Sequence, residues 1–233
     1  MKLEKVTITG ADAFTDISDL VAISKKYPFV EWGILVSKSK EGNYFRYPTF
    51  YWIEGLLEEL KLNNIQRAVH ICGEWARDLA EKEDGHSFFT DRPTISKLFD
   101  RYQINYHHDL NSSKIERMLS NISPFIDAPI LIPVKDFSGL KDFSGRAKYL
   151  YDVSGGCGVV PSKWIAPPFL NCGYAGGMGP HNIENILEQI DKVCPSDYVT
   201  WIDMETKVRV EDDSKLDLTA VEKVLEVCKA YVG

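Results

Sequence analysis

Eight short apolar segments, rich in β-branched and aromatic residues, recur along the chain and alternate with segments whose apolar residues have helical spacing. Continuous apolar runs are typical of strands that are buried on both faces of a parallel sheet. The alternation favours eight parallel strands closed into a (β/α)8 barrel, with an open doubly wound sheet as the alternative. We predict these strands over residues 5–9, 30–36, 66–72, 103–109, 128–134, 149–153, 169–173 and 198–204.

The length of 233 residues and the hydrophobic content of 44% suit one barrel, since single α/β barrels commonly take about 200–250 residues. We therefore predict a single TIM-barrel domain over residues 1–233. Residues 136–146 and the Gly- and Pro-rich link before residue 169 are too short for a full crossover helix. We expect only short helical connections after the fifth and sixth strands.

Composition excludes several classes of protein. A net charge of −7, without any Lys/Arg run, argues against nucleic-acid binding. No apolar stretch reaches about 18 residues and residues 1–10 carry no signal-peptide pattern, so we predict a cytoplasmic protein without membrane contact. The five cysteines include no C-x-x-C pair, which argues against a disulfide framework or a zinc site. His107 and Asp109 share a face of the fourth strand but have no third ligand in view, so we expect no metal and no cofactor.

Glycine-rich turns follow the sixth and seventh predicted strands, in residues 152–158 and 173–182. Glycine lets a backbone approach a ligand closely because no Cβ intervenes. A helix beginning near Pro180 directs N–H groups towards an anion above the turn. The spacing is that of neither a P-loop nor a dinucleotide fingerprint. We predict that Gly176, Gly177 and Met178 bind phosphate, and two tight strand–helix turns are the structural alternative.

These residues also resemble a known enzyme family. Asp152 followed by residues 155–158, Gly-Gly-Cys-Gly, and then Trp164 is similar to the Asp, Gly-Gly-x-Gly turn and Trp of phosphoribosylanthranilate isomerases. Residues 175–182, Ala-Gly-Gly-Met-Gly-Pro-His-Asn, resemble that family's Ala-Gly-Gly-Leu-x-Pro-Glu-Asn, and Asp203 stands at its final Val-Asp. The resemblance implies a TIM barrel that acts on a phosphorylated sugar derivative, as in tryptophan biosynthesis.

The resemblance further implies an aldose–ketose isomerisation, in which a general acid opens the sugar ring and a Cys base removes a proton. Asp152 matches the acid, whereas Thr9 stands at the position of the Cys. A Thr hydroxyl is a poor base near neutral pH, so the reaction departs from the family pattern. Cys72, at the end of the third strand, is a candidate for a displaced base, and a buried inert thiol is the alternative.

The ligand-binding residues implied by the resemblance are also only partly present. The family's Ser-Ser-Gly after its last strand is replaced here by Glu205-Thr-Lys207, so Glu205 opposes a phosphate and Lys207 attracts one. Arg46, in the loop after the second strand, is the candidate for holding a substrate carboxylate. No sequence signal indicates an oligomeric state.

Two other functions fit the same residues. Lys135, at the end of the fifth strand, forms a Schiff base if it is desolvated, which predicts an aldolase. Alternatively, the replacement of the Cys base by Thr9 and the charge of Glu205 predict a non-catalytic descendant that binds a ligand or a partner.

Overall fold

A computed structural model describes residues 1–170 and 172–233. Within them, eight parallel strands pair in sequence order and close into a barrel, because β1 also pairs with β8. The predicted eight-stranded barrel is therefore confirmed. The strands are β1 (Lys2–Thr9), β2 (Val30–Val36), β3 (Gln66–Ile71), β4 (Arg101–Ile104), β5 (Ile130–Val134), β6 (Ala147–Tyr151), β7 (Gly173–Ala175) and β8 (Val199–Met204).

Helices connect most of the strands and cover the outside of the barrel. They are α1 (Ile17–Lys26), α2 (Phe50–Leu62), α3 (Glu74–Glu81), α4 (Ser87–Asp91), α5 (Ser112–Ile122), α6 (Ile183–Val193) and α7 (Leu218–Cys228). The Asp16 carboxylate caps α1 by accepting from the Ser18 N–H. The described helices are all too short or too polar to cross a membrane.

The buried faces follow the predicted periodicities. All seven residues of β2 are buried, and α2 buries Ile53, Leu56, Leu57 and Leu60 against the sheet. A smaller apolar group, Leu131, Leu150, Ala175 and Trp201, forms a separate buried cluster contributed by β5 to β8. Trp201 stacks under the guanidinium of Arg101, with 4.7 Å from the Arg101 Cζ to the ring centroid.

Several segments differ from the sequence predictions. The fourth strand was predicted over residues 103–109 and spans Arg101–Ile104, so His107 and Asp109 follow the strand and do not share a face of it. The sixth strand was predicted over residues 149–153 and spans Ala147–Tyr151. The mostly polar sequence of residues 83–93 suggests an insertion without regular structure, yet it contains α4, which buries Phe88 and Phe89. The seventh strand begins at Gly173, where residues 169–173 were predicted, and Asn171 of that range lies outside the described residues. A Cβ on Gly173 would lie 2.2 Å from the Trp201 indole, so this strand packs directly against that ring.

The connections after β5 and β6 contain turns instead of the short helices that we expected. Residues 135–146 and the described part of 152–172 form no helix. The Asp136 carboxylate accepts from the Ser138 N–H, and Asp142 does the same with Ser144. Such side-chain-to-backbone bonds compete with helix formation, which explains why these links are built from turns.

Parallel closure brings the carboxyl ends of all eight strands to one face of the barrel. Thr9, Cys72, Asp152 and Glu205 end or directly follow their strands, so the structure places all four at that face. These four residues therefore share one end of the barrel.

A buried charge cluster occupies the interior of the barrel near the start of β4. The Glu31 carboxylate accepts from the Thr7 hydroxyl at 2.9 Å and lies 3.3 Å from the Arg101 guanidinium and 3.7 Å from the Lys5 ammonium. Glu31 is fully buried, so its charge depends on these partners.

We predict that Glu31→Gln lowers the free energy of unfolding by about 3 kcal/mol, because Arg101 and Lys5 lose their buried partner. Urea unfolding followed by circular dichroism measures this. Glu222→Gln, which removes an exposed partner of Lys26, is the control and should leave the unfolding midpoint unchanged. Equal midpoints for Glu31→Gln and the native protein would show that the cluster does not stabilise the barrel.

Candidate functional site

A small polar cavity of about 60 Å³ lies at the centre of the carboxyl-terminal face. Five strands or the loops that follow them contribute to it. The polar and charged residues that line it include His70, Gln103, Asp152, Asp203, Glu205 and Lys207. Gly176, Gly177 and Met178 line the same cavity, so the predicted acid and the predicted phosphate-binding turn share one site.

Asp203 lies near the end of β8 and lines this cavity, and the fold shifts the pKa of its carboxyl into the neutral range. Burial raises the pKa of its carboxyl to about 7, the Thr9 hydroxyl opposes this shift, and the Asp152 charge adds to it. A carboxyl that titrates near neutral pH exchanges protons readily with a substrate. Asp203 is therefore suited to act as a general acid or base.

Thr9 does not serve as the base that the resemblance places at its position. Its hydroxyl is buried and donates to Asp203 Oδ1 at 2.7 Å. A hydroxyl that donates its proton to a carboxylate is positioned to orient that carboxylate and to favour its charged form. Thr9, at the position where the resemblance places the base, is thus hydrogen-bonded to Asp203, which carries the titratable carboxyl.

Asp152 lies at the end of β6 and is held by its own turn. Its Oδ1 accepts from the Ser154 N–H at 2.9 Å and the Ser154 hydroxyl at 2.7 Å, and its Oδ2 accepts from the Gly156 N–H at 3.0 Å. These bonds fix the carboxylate at the edge of the cavity, beside the region where Asp203 is buried.

Cys72 follows β3 and is buried. Burial raises the pKa of its thiol to about 11, so the thiol keeps its proton at neutral pH. The Asn105 amide donates to Sγ at 3.2 Å, and the S–H donates to the His70 carbonyl at 3.4 Å. This environment does not provide the thiolate that a displaced base requires.

The glycines of the turn after β7 have a packing role that the sequence did not predict. Gly177 has φ +61°, and a Cβ there would lie 2.6 Å from the Val160 side chain. A Cβ on Gly176 would lie 3.0 Å from Pro161. The loop after β6 therefore fills the space beside both glycines, and their missing side chains allow the two loops to pack together.

The turn after β7 lines the cavity, and only some of its backbone N–H groups are bonded within the protein. Asn182 caps the turn before α6 by accepting from the Gly179 N–H at 2.9 Å, so that N–H is already bonded. Within the described residues, the N–H groups of Gly177 and Met178 have no protein acceptor. Lys207 is exposed at the rim of the same cavity and adds a positive charge there.

Arg46, which was predicted to hold a substrate carboxylate, forms ion pairs with other residues of the chain. Arg46 Nη1 donates to Glu205 Oε1 at 2.5 Å, and its Nε donates to Asp213 at 2.8 Å. Asp213 also accepts from Arg209, which in turn donates to the buried Asp12. Glu205 thus faces a cation, and its predicted opposition to phosphate is reduced in this arrangement.

A larger groove of about 840 Å³ adjoins the polar cavity and shares Asn105, His107, Gly156 and Glu205 with it. Its outer wall carries the exposed rings of Phe14 and Phe45, which contact each other edge to face at 5.6 Å between centroids, and also Tyr44. The groove is large enough for the remainder of a substrate whose reacting end enters the cavity.

The residues that were weighed for a Schiff base or for metal binding are exposed. Lys135, His107 and Asp109 lie in a neighbouring cavity of about 620 Å³, and all three are solvent-exposed. An exposed Lys135 lacks the desolvation that activates a Schiff-base lysine. In the part of the chain that the structure describes, no group of three or more His, Cys, Asp or Glu residues is arranged to hold a metal.

Sequence reasoning missed three residues of the site: Asp203 as a functional group, His70 and Gln103. Asp203 belongs to a motif that carries the family resemblance, but its burial and its contact with Thr9 arise only on barrel closure. His70 alternates with Cys72 along β3, so the two-residue period of a strand was the available signal for His70.

The fold resembles that of thiamine phosphate pyrophosphorylase from Pyrococcus furiosus, with a TM-score of 0.52 and 12% identity over 99% of this chain and 98% of that chain. D-psicose 3-epimerase from Clostridium cellulolyticum H10, solved with D-tagatose, gives a TM-score of 0.48 and 11% identity over 99% of this chain and 96% of that chain. The sequence matches no protein-family model and no curated protein. The similarity to the pyrophosphorylase supports the TIM-barrel fold. It does not extend to the narrower resemblance to phosphoribosylanthranilate isomerase.

We predict that Asp203→Asn changes the pH dependence of stability. The carboxyl has a pKa of about 7 in the fold, against an ordinary value of 3.8, so the folded protein binds the extra proton between these values. Native stability therefore falls as pH rises through this range. Asn keeps the acceptor for Thr9 but carries no charge. Relative to the native protein, the variant should gain up to about 4 kcal/mol between pH 4 and pH 8.

Urea unfolding of both proteins at several pH values measures this gain. A stability difference that is the same at pH 4 and pH 8 would show that Asp203 titrates normally.

Proposed function

We propose that the protein is a TIM-barrel enzyme that transfers protons on a phosphorylated sugar derivative, with isomerisation as the reaction type. The observation that carries the proposal is Asp203, a buried carboxyl with a pKa of about 7 in the cavity at the barrel mouth. Isomerisation of a sugar needs a group that removes a proton from one carbon and returns it to a neighbouring atom.

The arrangement of the two carboxyl groups supports this chemistry. Burial raises the pKa of Asp203 to about 7, so the carboxyl is available both as a base and as an acid at neutral pH. Asp152 lines the same cavity and is the candidate for the acid that opens the ring. The Thr9 hydroxyl holds one oxygen of Asp203 in place and leaves the other for a substrate.

The anionic end of the substrate is assigned to the turn after β7. Gly177, Met178 and Lys207 all line the cavity, and within the described residues the N–H groups of Gly177 and Met178 have no backbone acceptor. In TIM barrels, the loops after the seventh and eighth strands frequently bind phosphate. This assignment places the phosphate beside the two carboxyl groups, as a compact sugar phosphate requires.

Two features favour a substrate other than phosphoribosylanthranilate. Arg46, which the resemblance implies as the partner of the substrate carboxylate, already pairs with Glu205 and Asp213. Thr9 stands in place of the Cys base. We therefore propose related chemistry on a phosphorylated sugar that lacks a carboxylate at this point.

Deuterium exchange tests the reaction even while the product is unidentified. Phosphorylated aldoses and ketoses, together with phosphoribosylanthranilate, are incubated with the protein in D2O and followed by proton NMR. We expect exchange at the carbon next to the carbonyl for at least one sugar phosphate, with a pH midpoint near 7. We expect little or no turnover of phosphoribosylanthranilate.

Asp203→Asn should reduce the exchange rate by about 10²–10⁴, the usual contribution of one positioned base. Borohydride treatment in the presence of a carbonyl substrate tests the aldolase alternative, because it traps a Schiff base on Lys135. Trapped adduct at Lys135, or exchange that survives Asp203→Asn, would contradict the proposal. Binding of a sugar phosphate without any exchange would support the non-catalytic alternative.

Phosphate affinity tests the anion site separately. We predict that Glu205→Ser strengthens the binding of inorganic phosphate, because it removes a negative charge at the cavity and frees Arg46. Lys207→Ala should weaken it, since Lys207 adds positive charge at the rim. Calorimetry gives both affinities, and equal values for the native protein and Glu205→Ser would rule out a phosphate near this pair.

A further inference from the structure

A chain of hydrogen-bonded side chains crosses the interior of the barrel mouth and connects the groove to Asp203. From the groove side, the Asn105 amide donates to Cys72 Sγ at 3.2 Å, and Gln103 Nε2 donates to Asn105 Oδ1 at 3.0 Å. Gln103 Nε2 also lies 3.1 Å from His70 Nδ1. The chain continues from His70 Nε2 to Thr9 Oγ1 at 3.4 Å and from there to Asp203 at 2.7 Å.

The direction of donation in this chain is fixed at the Cys72 end. The Cys72 thiol keeps its proton, and that proton goes to the His70 carbonyl, so Sγ accepts the next bond. Asn105 must then present its NH2 group to the sulfur and its oxygen to Gln103. Gln103 consequently presents its NH2 group to both Asn105 and His70.

The same logic determines the tautomer of His70. Its Nδ1 accepts from Gln103 and therefore carries no proton. Burial lowers the pKa of His70 to about 3, so the ring is neutral and its single proton is on Nε2. The Nε2–H then faces the Thr9 oxygen, and the Thr9 hydroxyl is left to donate to Asp203. All the hydrogen bonds from Asn105 through Gln103 and His70 to Thr9 are therefore consistent with one direction of donation.

Gly33 on β2 makes the central contact of this chain possible. Thr9 on β1 and His70 on β3 are separated by β2, and Gly33 pairs with Thr9 in the sheet. A Cβ at Gly33 would lie 2.3 Å from Thr9 Oγ1 and 3.1 Å from His70 Nε2. Only a residue without a side chain lets these two groups meet across the intervening strand.

We infer that His70 and Gln103 are positioning residues, which act through Thr9 to hold a hydrogen-bond donor on Asp203 and so set the pH at which Asp203 exchanges its proton. Asn105 and the Cys72 thiol fix the orientation of Gln103 and complete the chain. The inference deepens the proposed function, because Asp203 is the proton-transfer group in that proposal.

Charged groups from other strands also act on Asp203. Asp152 after β6 and Glu31 on β2 raise the pKa of Asp203, whereas Arg101 on β4 lowers it. Glu205 follows Asp203 closely in the chain and interacts with it electrostatically. The test variants leave all four of these charges in place, so a shift of the Asp203 titration reports on the hydrogen-bond chain.

The first test determines the tautomer of His70 in the ligand-free native protein. Long-range proton–nitrogen NMR of 15N-histidine-labelled protein distinguishes a proton on Nε2 from one on Nδ1. We expect a neutral ring with the proton on Nε2 throughout pH 5–9. A proton on Nδ1, or a His70 that titrates within this range, overturns the direction of the chain.

The second test follows the Asp203 carboxyl by 13C NMR of aspartate-labelled protein, again without any substrate. Thr9→Val should raise the pH midpoint of Asp203 by about 1 unit, because a donor to the carboxylate is lost. His70→Leu and Gly33→Ala keep Thr9 and should raise it by about half a unit each, because the Thr9 hydroxyl is no longer held by the ring.

Thr200→Val is the matched control for Thr9→Val. Thr200 is also a buried threonine on a barrel strand, and its hydroxyl donates to the Cys172 carbonyl at 2.7 Å, away from the chain. We expect Thr200→Val to leave the Asp203 midpoint unchanged. An unshifted midpoint in His70→Leu together with a shifted one in Thr9→Val would confine the effect to Thr9 and refute the role of His70.

These measurements remain decisive if the proposed reaction is wrong. The tautomer and the Asp203 titration are observed in the free protein, so a protein without isomerase activity still tests the chain. The tautomer of His70 is measured in the native protein, so this test still applies if Gly33→Ala or His70→Leu does not fold.

Discussion

Pairing of β1 with β8 is the interaction on which the site depends. It closes the sheet and brings Thr9 within 2.7 Å of Asp203, although 194 positions separate the two residues in the chain. An open sheet would leave Thr9 and Asp203 at opposite edges, with both side chains in water. Closure buries the carboxyl, and burial is the main cause of its raised pKa. The chemistry proposed for the mouth therefore follows from the topology of the barrel.

Polar side chains inside the barrel contact partners that lie on the adjacent strand or one strand further on. Thr7, Glu31 and Arg101 form one such group, and His70, Gln103 and Thr9 form another nearer the mouth. A buried polar group without a partner is costly, so each strand must present its group in register with the next. We predict that the first group stabilises the fold, and the second connects the groove to Asp203.

Glycines at two places in the barrel leave room for other groups to pack closely. Gly33 allows two side chains on flanking strands to meet across β2. Gly176 and Gly177 allow the loop after β6 to pack against the turn after β7, which shapes one wall of the cavity. In both cases the missing side chain leaves room for another part of the protein, so these glycines shape the cavity through the packing of the groups around it.

From the sequence alone the eight strands could be predicted, the closed parallel barrel was favoured over an open sheet, and Thr9, Cys72, Asp152 and Glu205 were placed at strand ends, because hydrophobic period and strand order can be read along the chain. The prediction started β7 at residue 169 instead of Gly173, because its start depends on the packing of Gly173 against Trp201. Tertiary structure alone decided the roles within the site. Thr9 became a donor to Asp203 and Arg46 became the partner of Glu205, because both contacts join segments far apart in the chain and form only when the barrel closes.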